Sequence, residues 1–487
     1  KNLDSLLVKI KDYSKVIIGY HKPEGIWKKN EMTFNEINWI DKISKHNKTI
    51  VTFFTKPYSL LRIPTFENTE GLVEAYQNNE FSQIVAAEII FGAKDAKGIL
   101  PVSLKKNFSA NDGIPTKNIK RLGFAFPEQV NMNSEVLAKI DAIANYAIKS
   151  KATPGMQILV ARRGQVVYKK SFGYHTYDTI QKVKNTDLYD LASLTKVLST
   201  LPNIMQDYEK GNINFRTTLS ELIPSYKNSN KADINILDML THQAKLPAWT
   251  PFYAKTLDSL KKPSSKYYRT FKSKEFPFHV SNNLYLRKDY NDTIINFIKE
   301  TQLLPYKQYK YSDYTFILFK EYLEKKHHES LDKLSNDNLY KKLGMYSTSY
   351  NPLEKFELNR IMPTEVDTYF RYDTIQGYVH DMAAAMQNGV GGHAGLFSNS
   401  LDVAKIMQMY LQKGSYGGIT YFSPETFDAF NTCYFCKIGN RRGAGFDKPQ
   451  LGNEGPTCGC TNKSSFGHTG FTGTMVWADP EKELVYV

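Results

Sequence analysis

Tyr189-Asp190-Leu191-Ala192-Ser193-Leu194-Thr195-Lys196-Val197-Leu198-Ser199-Thr200-Leu201 is the stretch on which the fold turns. The apolar run from Val197 to Leu201 reads as helix, which puts Ser193 and Lys196 at its start. Residues three apart are helix neighbours, so the two side chains share a face. A serine hydroxyl is a poor nucleophile near neutral pH and needs a base within hydrogen-bond reach. A helix N-terminus adds N–H groups that can hold a developing oxyanion. The plainer reading of Ser193 is a helix N-cap. Ser103, Ser259 and Ser330 also open a Ser-x-x-Lys. They stand after a strand-like Leu100-Pro101-Val102 or in charged, irregular sequence, so context singles out Ser193.

Two further pieces follow in order. Tyr311-Ser312-Asp313 opens Tyr314-Thr315-Phe316-Ile317-Leu318-Phe319, a buried-helix pattern, and a Tyr there can share a proton with Ser193 and Lys196. In a chain with 32 tyrosines, a core Tyr is the competing reading. His468-Thr469-Gly470 precedes a strand-like Met475-Val476-Trp477, where a glycine lets backbone or ligand approach closely. Leu240-Thr241-His242-Gln243 lies between Ser193 and Tyr311. Gly392-His393-Ala394-Gly395-Leu396-Phe397-Ser398 lies between Tyr311 and His468, ahead of a predicted helix Leu401–Leu411. Pro154-Gly155-Met156 opens a predicted hairpin, Gln157 to Ala161 and Gln165 to Tyr168, turning at Arg163-Gly164.

These pieces, in this order, resemble the penicillin-binding and β-lactamase serine hydrolases, in particular class C β-lactamases, D-Ala-D-Ala peptidases and related esterases. The resemblance covers residues 131–487. It implies a β-lactamase/transpeptidase-like domain: an antiparallel sheet flanked by helices, with a helical subdomain. It implies Ser193 as the acylated nucleophile, with Lys196 and Tyr311 handling its proton; which of the two is the base stays open. It places the oxyanion hole at the backbone N–H groups of Ser193 and Phe471. Asp313, His468, Thr469 and Gly470 would line the substrate cleft. Three positions depart from the pattern. His468 stands for the usual Lys, Asp313 for the usual Asn, and Lys245 for the usual Gly after the Thr-His segment. Lys is a permanent cation, whereas His is largely neutral at pH 7. Ionised Asp only accepts hydrogen bonds. These changes favour an ester, D-amino-acid or cell-wall-type peptide or amide substrate over a β-lactam.

The first stretch reads as a separate α/β domain. Predicted strands Lys15–Tyr20, Thr49–Phe54 and Gly71–Tyr76 alternate with helices Phe34–Lys45 and Glu80–Phe91. That order argues for a parallel sheet covered by helices. Phe91-Gly92-Ala93 through Lys97-Gly98-Ile99-Leu100-Pro101-Val102-Ser103-Leu104 resembles the end of the α/β sandwich domain of family 3 glycoside hydrolases. The expected organisation is a partial sandwich domain over 1–105, a linker over 106–130 and the hydrolase domain over 131–487, an α/β plus α+β chain. Both ends are expected to continue. The resemblance implies a fusion in which the missing half is β-N-acetylglucosaminidase-like and serves peptidoglycan turnover. Glycosidase action as the main activity of the longer protein, with this domain accessory, is one alternative. A substrate-binding module whose site has decayed, suggested by Asp313 and His468, is another.

Net charge is +14, from 63 basic and 49 acidic residues. No clustered basic motif accompanies it, so no nucleic-acid partner is expected. An anionic envelope surface suits the charge better. The longest apolar stretch, Ile84 to Ala93, is too short to span a membrane. The family resemblance implies the periplasm or cell envelope, with a small-molecule or cell-wall peptide or glycan substrate. All four cysteines fall in Cys433-x-x-Cys436 and Cys458-x-Cys460. The spacing fits a structural zinc site or two disulfides joining one pair to the other. No cofactor is expected for catalysis. Arg441 and Arg442 either meet a substrate carboxylate, in place of the missing Lys, or form surface ion pairs. His380 and Asp381 are read as the start of a helix Asp381–Gln387, and His393 as part of the glycine turn.

Overall fold

The computed structural model describes residues 2–22, 31–105 and 107–487. The chain divides into two units, residues 1–123 and 124–487, the boundary falling within the expected linker. Lys106, the linker's first residue, lies outside the described residues.

In the first unit the elements are α1 (Leu3–Ile10), β1 (Lys15–His21), α2 (Phe34–His46), β2 (Lys48–Phe54), β3 (Gly71–Glu74) and α3 (Glu80–Ile90). The strands pair parallel in the order β1-β2-β3. β2 is central and buries Val51, Phe53 and Phe54. Thr33 and Glu36 form a reciprocal capping box that starts α2. Leu100 and Leu104 join the core with Tyr20, Ile40, Val51 and Phe53. Leu100-Pro101-Val102 is not a strand. Pro101 has no N–H for a ladder, and Leu100 instead bonds across to Asn111 and Asp112, both at 2.7 Å.

The second unit begins with α4 (Ser134–Lys149), capped by Asn133, and the hairpin β4 (Gly155–Arg162) and β5 (Gln165–Gly173). Arg163 and Gly164 both take positive φ, 51° and 72°, as a two-residue type I′ turn requires. Then come β6 (Tyr189–Asp190), a π-helical turn (Lys196–Thr200) and α5 (Leu201–Glu209). The helical subdomain holds α6 (Ile236–Leu240), α7 (Tyr290–Glu300) and α8 (Tyr314–His327). The unit ends with β7 (Phe397–Ser398), α9 (Ser400–Leu411), β8 (Phe466–Thr469), β9 (Met475–Asp479) and β10 (Leu484–Tyr486).

The main sheet runs β8-β9-β10-β4-β5, all antiparallel. Ile158, Val160 and Tyr168 pack with Leu137 and Ala144 of α4. Leu159 and Ala161 alternate to the other face and are also buried, so the sheet is covered on both sides. α9 packs along β4, β9 and β10. The run Tyr314–Lys320 of α8 is buried on every face, which marks it as the central helix of the unit. Among the described residues no helix is long and apolar enough to cross a membrane.

Candidate active site

β6 pairs with β7 and delivers the chain to a tight turn at Ala192, whose φ is +44°. The buried Asp190 carboxylate shapes that turn: Oδ1 accepts from the Ala192 N–H at 2.8 Å, Oδ2 from the His380 N–H at 2.6 Å. Ser193 follows, half-buried, and Lys196 lies one turn on, 0 % exposed. Lys196 Nζ donates to Ser193 Oγ at 2.9 Å and to the His393 carbonyl at 3.1 Å, and meets Asp313 Oδ1 at 2.7 Å. Tyr311 Oη donates to Ser193 Oγ at 3.1 Å. The Lys196 ammonium also lies 5.0 Å from the Tyr311 ring centre.

The Tyr311-Ser312-Asp313 loop is held by the Thr-His segment. Lys310 N–H donates to the His242 carbonyl at 2.9 Å, Ser312 N–H to His242 Nδ1 at 3.2 Å, and Asp313 N–H to the Ala248 carbonyl at 2.9 Å. Asp313 occupies the N-cap position of α8 but its side chain makes no cap bond. Its carboxylate is turned to Lys196 instead.

On the opposite wall, Thr472 and Thr474 hydroxyls donate to the carbonyls of Asp190 and Leu191, at 2.6 and 3.2 Å. These bonds tie the turn after β8 to the loop before Ser193. A Cβ on Gly470 would overlap Thr474 Oγ1 and sit 2.6 Å from the Leu191 carbonyl, so this approach needs glycine. His468 is buried beside Tyr311, ring centres 6.0 Å apart, and its Nδ1 contacts the Thr469 carbonyl at 2.7 Å. A carbonyl only accepts, so Nδ1 carries the proton and Nε2 is a buried acceptor. Thr469 itself is exposed. The Phe471 side chain is 85 % exposed and stacks on His380 at 5.5 Å.

Electrostatics sort these groups. Burial acts to lower the Lys196 pKa, but the Asp313 carboxylate and Tyr311 outweigh it, and the net direction is up. Burial, then the charges of Arg442 and Lys196, push His468 down to about 3. The same causes hold His242 well below the usual histidine range. Both imidazoles are therefore neutral at pH 7, and His468 supplies no cation in place of the usual Lys.

A cation does lie beside Tyr311, at Arg442. It is not a surface ion pair, as the commoner fate of adjacent arginines suggested. It is 5 % exposed and lies against Tyr311 and Tyr309, 5.3 and 5.9 Å from their ring centres. Asp447 takes both arginines, Arg441 Nε at 2.8 Å and Arg442 Nη2 at 3.5 Å. Nε and Nη1 of Arg442 are buried without a partner among the described residues. The sequence signal for this was weak: Arg442 comes from a long segment outside every motif, and only its return toward β8 brings it to Tyr311.

The helix read over Asp381–Gln387 is one turn, Met382–Ala385, with Asp381 as N-cap accepting from the Ala384 N–H at 2.8 Å. Asp381 Oδ1 also meets His393 Nε2 at 2.8 Å. The Thr-His segment was visible in the sequence, but the positioning roles of His242 and Asp190 and the Asp381–His393 pair were not.

The cysteines close within each pair, Cys433–Cys436 and Cys458–Cys460, with Cα–Cα distances of 5.7 and 5.4 Å. This corrects the expected pair-to-pair connectivity: each pair's two α-carbons already stand at disulfide spacing. In this form all four sulfurs are consumed, and none is a thiolate that could ligate zinc.

The sheet order, the buried central helix and the Ser-Lys-Tyr cluster define a β-lactamase/transpeptidase-like fold. The chain belongs to the beta-lactamase family, whose model matches residues 140–487. It is 29% identical over 386 residues to an N-acetylmuramyl-L-alanine amidase of Bacillus subtilis (strain 168), covering 73% of this chain and 81% of that one. It is 30% identical over 389 residues to an Escherichia coli (strain K12) protein provisionally named a D-alanyl-D-alanine carboxypeptidase, covering 74% and 83%. Among solved structures it is similar in fold to EstCE1, a hydrolase with promiscuous acyltransferase activity. There the TM-score is 0.54 at 17% identity, covering 72% of this chain and 93% of that one. The octameric penicillin-binding protein homologue from Pyrococcus abyssi gives 0.52 at 19%, covering 72% of each.

Proposed function

We propose that the chain hydrolyses an ester or amide of D-amino-acid or cell-wall-peptide type through an acyl-enzyme on Ser193. The observation that carries this reading is the double hydrogen bond to Ser193 Oγ, from Lys196 Nζ at 2.9 Å and Tyr311 Oη at 3.1 Å. Because Asp313 keeps Lys196 charged, Lys196 serves as a fixed cation and Tyr311 carries the proton. As Ser193 Oγ attacks the carbonyl, Tyr311 Oη takes its proton and passes its own to the leaving nitrogen or oxygen. The C–O bond to Ser193 forms, the scissile bond breaks, and water reverses the sequence in deacylation. The N–H groups of Ser193 and Phe471 hold the oxyanion. Nε and Nη1 of Arg442, buried without a partner among the described residues, would receive a carboxylate on the leaving group. Asp313, His468, Thr469 and Gly470 line the cleft.

The names of the bacterial relatives favour peptidoglycan as the source of substrate, and with it the cell envelope as the place of action. The parallel sheet of the first unit is consistent with the family 3 sandwich resemblance and a fusion devoted to the same polymer. The intact Ser193 bonding favours an active enzyme over a decayed binding module.

Labelling with a fluorophosphonate and with a fluorescent penicillin, read by peptide mapping, tests this. The fluorophosphonate is expected on Ser193 and absent from Ser193→Ala. Penicillin labelling is expected to be weak, since Asp313 offers no amide donor. A folded protein that no probe labels would overturn the acyl-enzyme reading.

A further inference from the structure

Beside Lys196 lies a pocket whose walls include Trp249, Asp313, Asp381 and His393. It adjoins the reacting centre through two contacts of Lys196 Nζ, to Asp313 Oδ1 and to the His393 carbonyl. Its polar side chains include the Asp313 and Asp381 carboxylates, which when ionised can only accept, beside the Thr250 and Tyr314 hydroxyls, which bond each other. Asp313 spends Oδ1 on Lys196, and Asp381 spends Oδ1 on His393 Nε2 and the Ala384 N–H. Oδ2 of each carboxylate has no hydrogen bond among the described residues. His393 is 1 % exposed. Its Nε2 meets Asp381 Oδ1, and its Nδ1 is buried without a partner among the described residues.

Charge points the same way. Asp313 offsets Lys196, which leaves Asp381 as excess negative charge at the pocket. Arg442, 5.3 Å from the Tyr311 ring centre, is itself paired with Asp447. Both carboxylates are partly exposed, so their Oδ2 atoms are open to an incoming donor. A ligand bringing several N–H donors and a positive charge meets both at once. A primary ammonium has three donors and no acceptor, and the exposed indole of Trp249 adds a face that attracts cations.

We propose that this pocket binds a primary ammonium on the acyl half of the substrate, making the enzyme selective for substrates that keep a free amine there. The proposal rests on the acyl-enzyme reading only in naming the occupant as substrate. It also gives the Asn-to-Asp departure a purpose: an acceptor-only side chain suits an amine and not an acylamino carbonyl.

Calorimetric binding to the Ser193→Ala chain tests it with three probes. D-Alaninamide carries an α-ammonium, Nα-acetyl-D-lysinamide a side-chain ammonium, and N-acetyl-D-alaninamide neither. At least one ammonium probe is expected to bind tenfold tighter than the neutral one, and which of them does so identifies the amine. Adding Asp381→Asn, which retains a good N-cap residue, is expected to cut that preference below threefold; Asp313→Asn serves if the first variant misfolds. Equal binding of all three probes, or a preference that survives both substitutions, overturns the proposal. Fluorophosphonate labelling of the unsubstituted chain separates the two readings. Labelled Ser193 with no ammonium preference leaves the hydrolase standing without the pocket. An ammonium preference with no labelling keeps the pocket and removes the hydrolase.

Discussion

Asp313 changes what Lys196 is. A fully buried lysine next to a serine would lose its proton readily, and the facing carboxylate at 2.7 Å reverses that tendency. Asp313→Asn should let burial dominate and lower the Lys196 pKa. The pH midpoint of Ser193 labelling should then move down by about one unit or more, checked by labelling rates across pH. His468 gives a stability test. Its folded pKa of about 3 lies below the ordinary histidine value of 6.5. Below pH 6.5 the unfolded chain takes up a proton that the folded chain refuses, so stability is lost as pH falls from 6.5 toward 3. His468→Gln should flatten that part of the Tm–pH curve, measured by thermal denaturation. At this scale the motif residues were legible because chemistry limits their type and their order resembles the family's. Arg442 was named only as one of two readings and Asp381 only as a helix start, because each reaches the Tyr311–Lys196 cluster through tertiary packing.

Elements built on strong local rules were readable. The Arg163-Gly164 turn and the alternation in β4 follow from backbone preference and period. Where a local rule was absent the reading slipped. Leu100-Pro101-Val102 is apolar enough for a strand, yet its proline left it to pack as irregular chain. The Asp381 helix stops after one turn, short of the predicted Gln387. The turn after β8 carries the next prediction. Gly470→Ala would press a methyl onto Thr474 and the Leu191 carbonyl, parting the turn from the Ser193 loop. Labelling should slow at least tenfold while Tm falls modestly, since overpacking costs about 1–3 kcal/mol. The cysteines offer a covalent test. Trypsin cuts at Arg441 and Arg442 under non-reducing conditions should release the Cys433–Cys436 and Cys458–Cys460 peptides unlinked. A linked species in the mass spectrum would contradict the pairing found here.

For the whole molecule, the fold of the second unit was legible because its hairpin, central helix and closing strands come in a distinctive order. What the sequence could not convey is how the sheet closes: β10, from residues 484–486, lies between β9 and β4. Its pairings with β4 join residues more than three hundred positions apart, a costly closure that cannot form early. A chain ending at Glu483 would leave two central edges open. It should fail to label at Ser193 and should aggregate, as seen by size-exclusion chromatography. The π-helical turn Lys196–Thr200 bears on how this protein can vary. There the Leu201 N–H reaches back to the Lys196 carbonyl, five residues away, so the turn holds one residue more than an α-helical turn needs. That spare residue sets the phase between the end of the helix that carries the nucleophile and the end that anchors it in the core. Removing it would rotate one end against the other by about 100°. The segment should therefore accept exchanges of side chain far more readily than any change in its length.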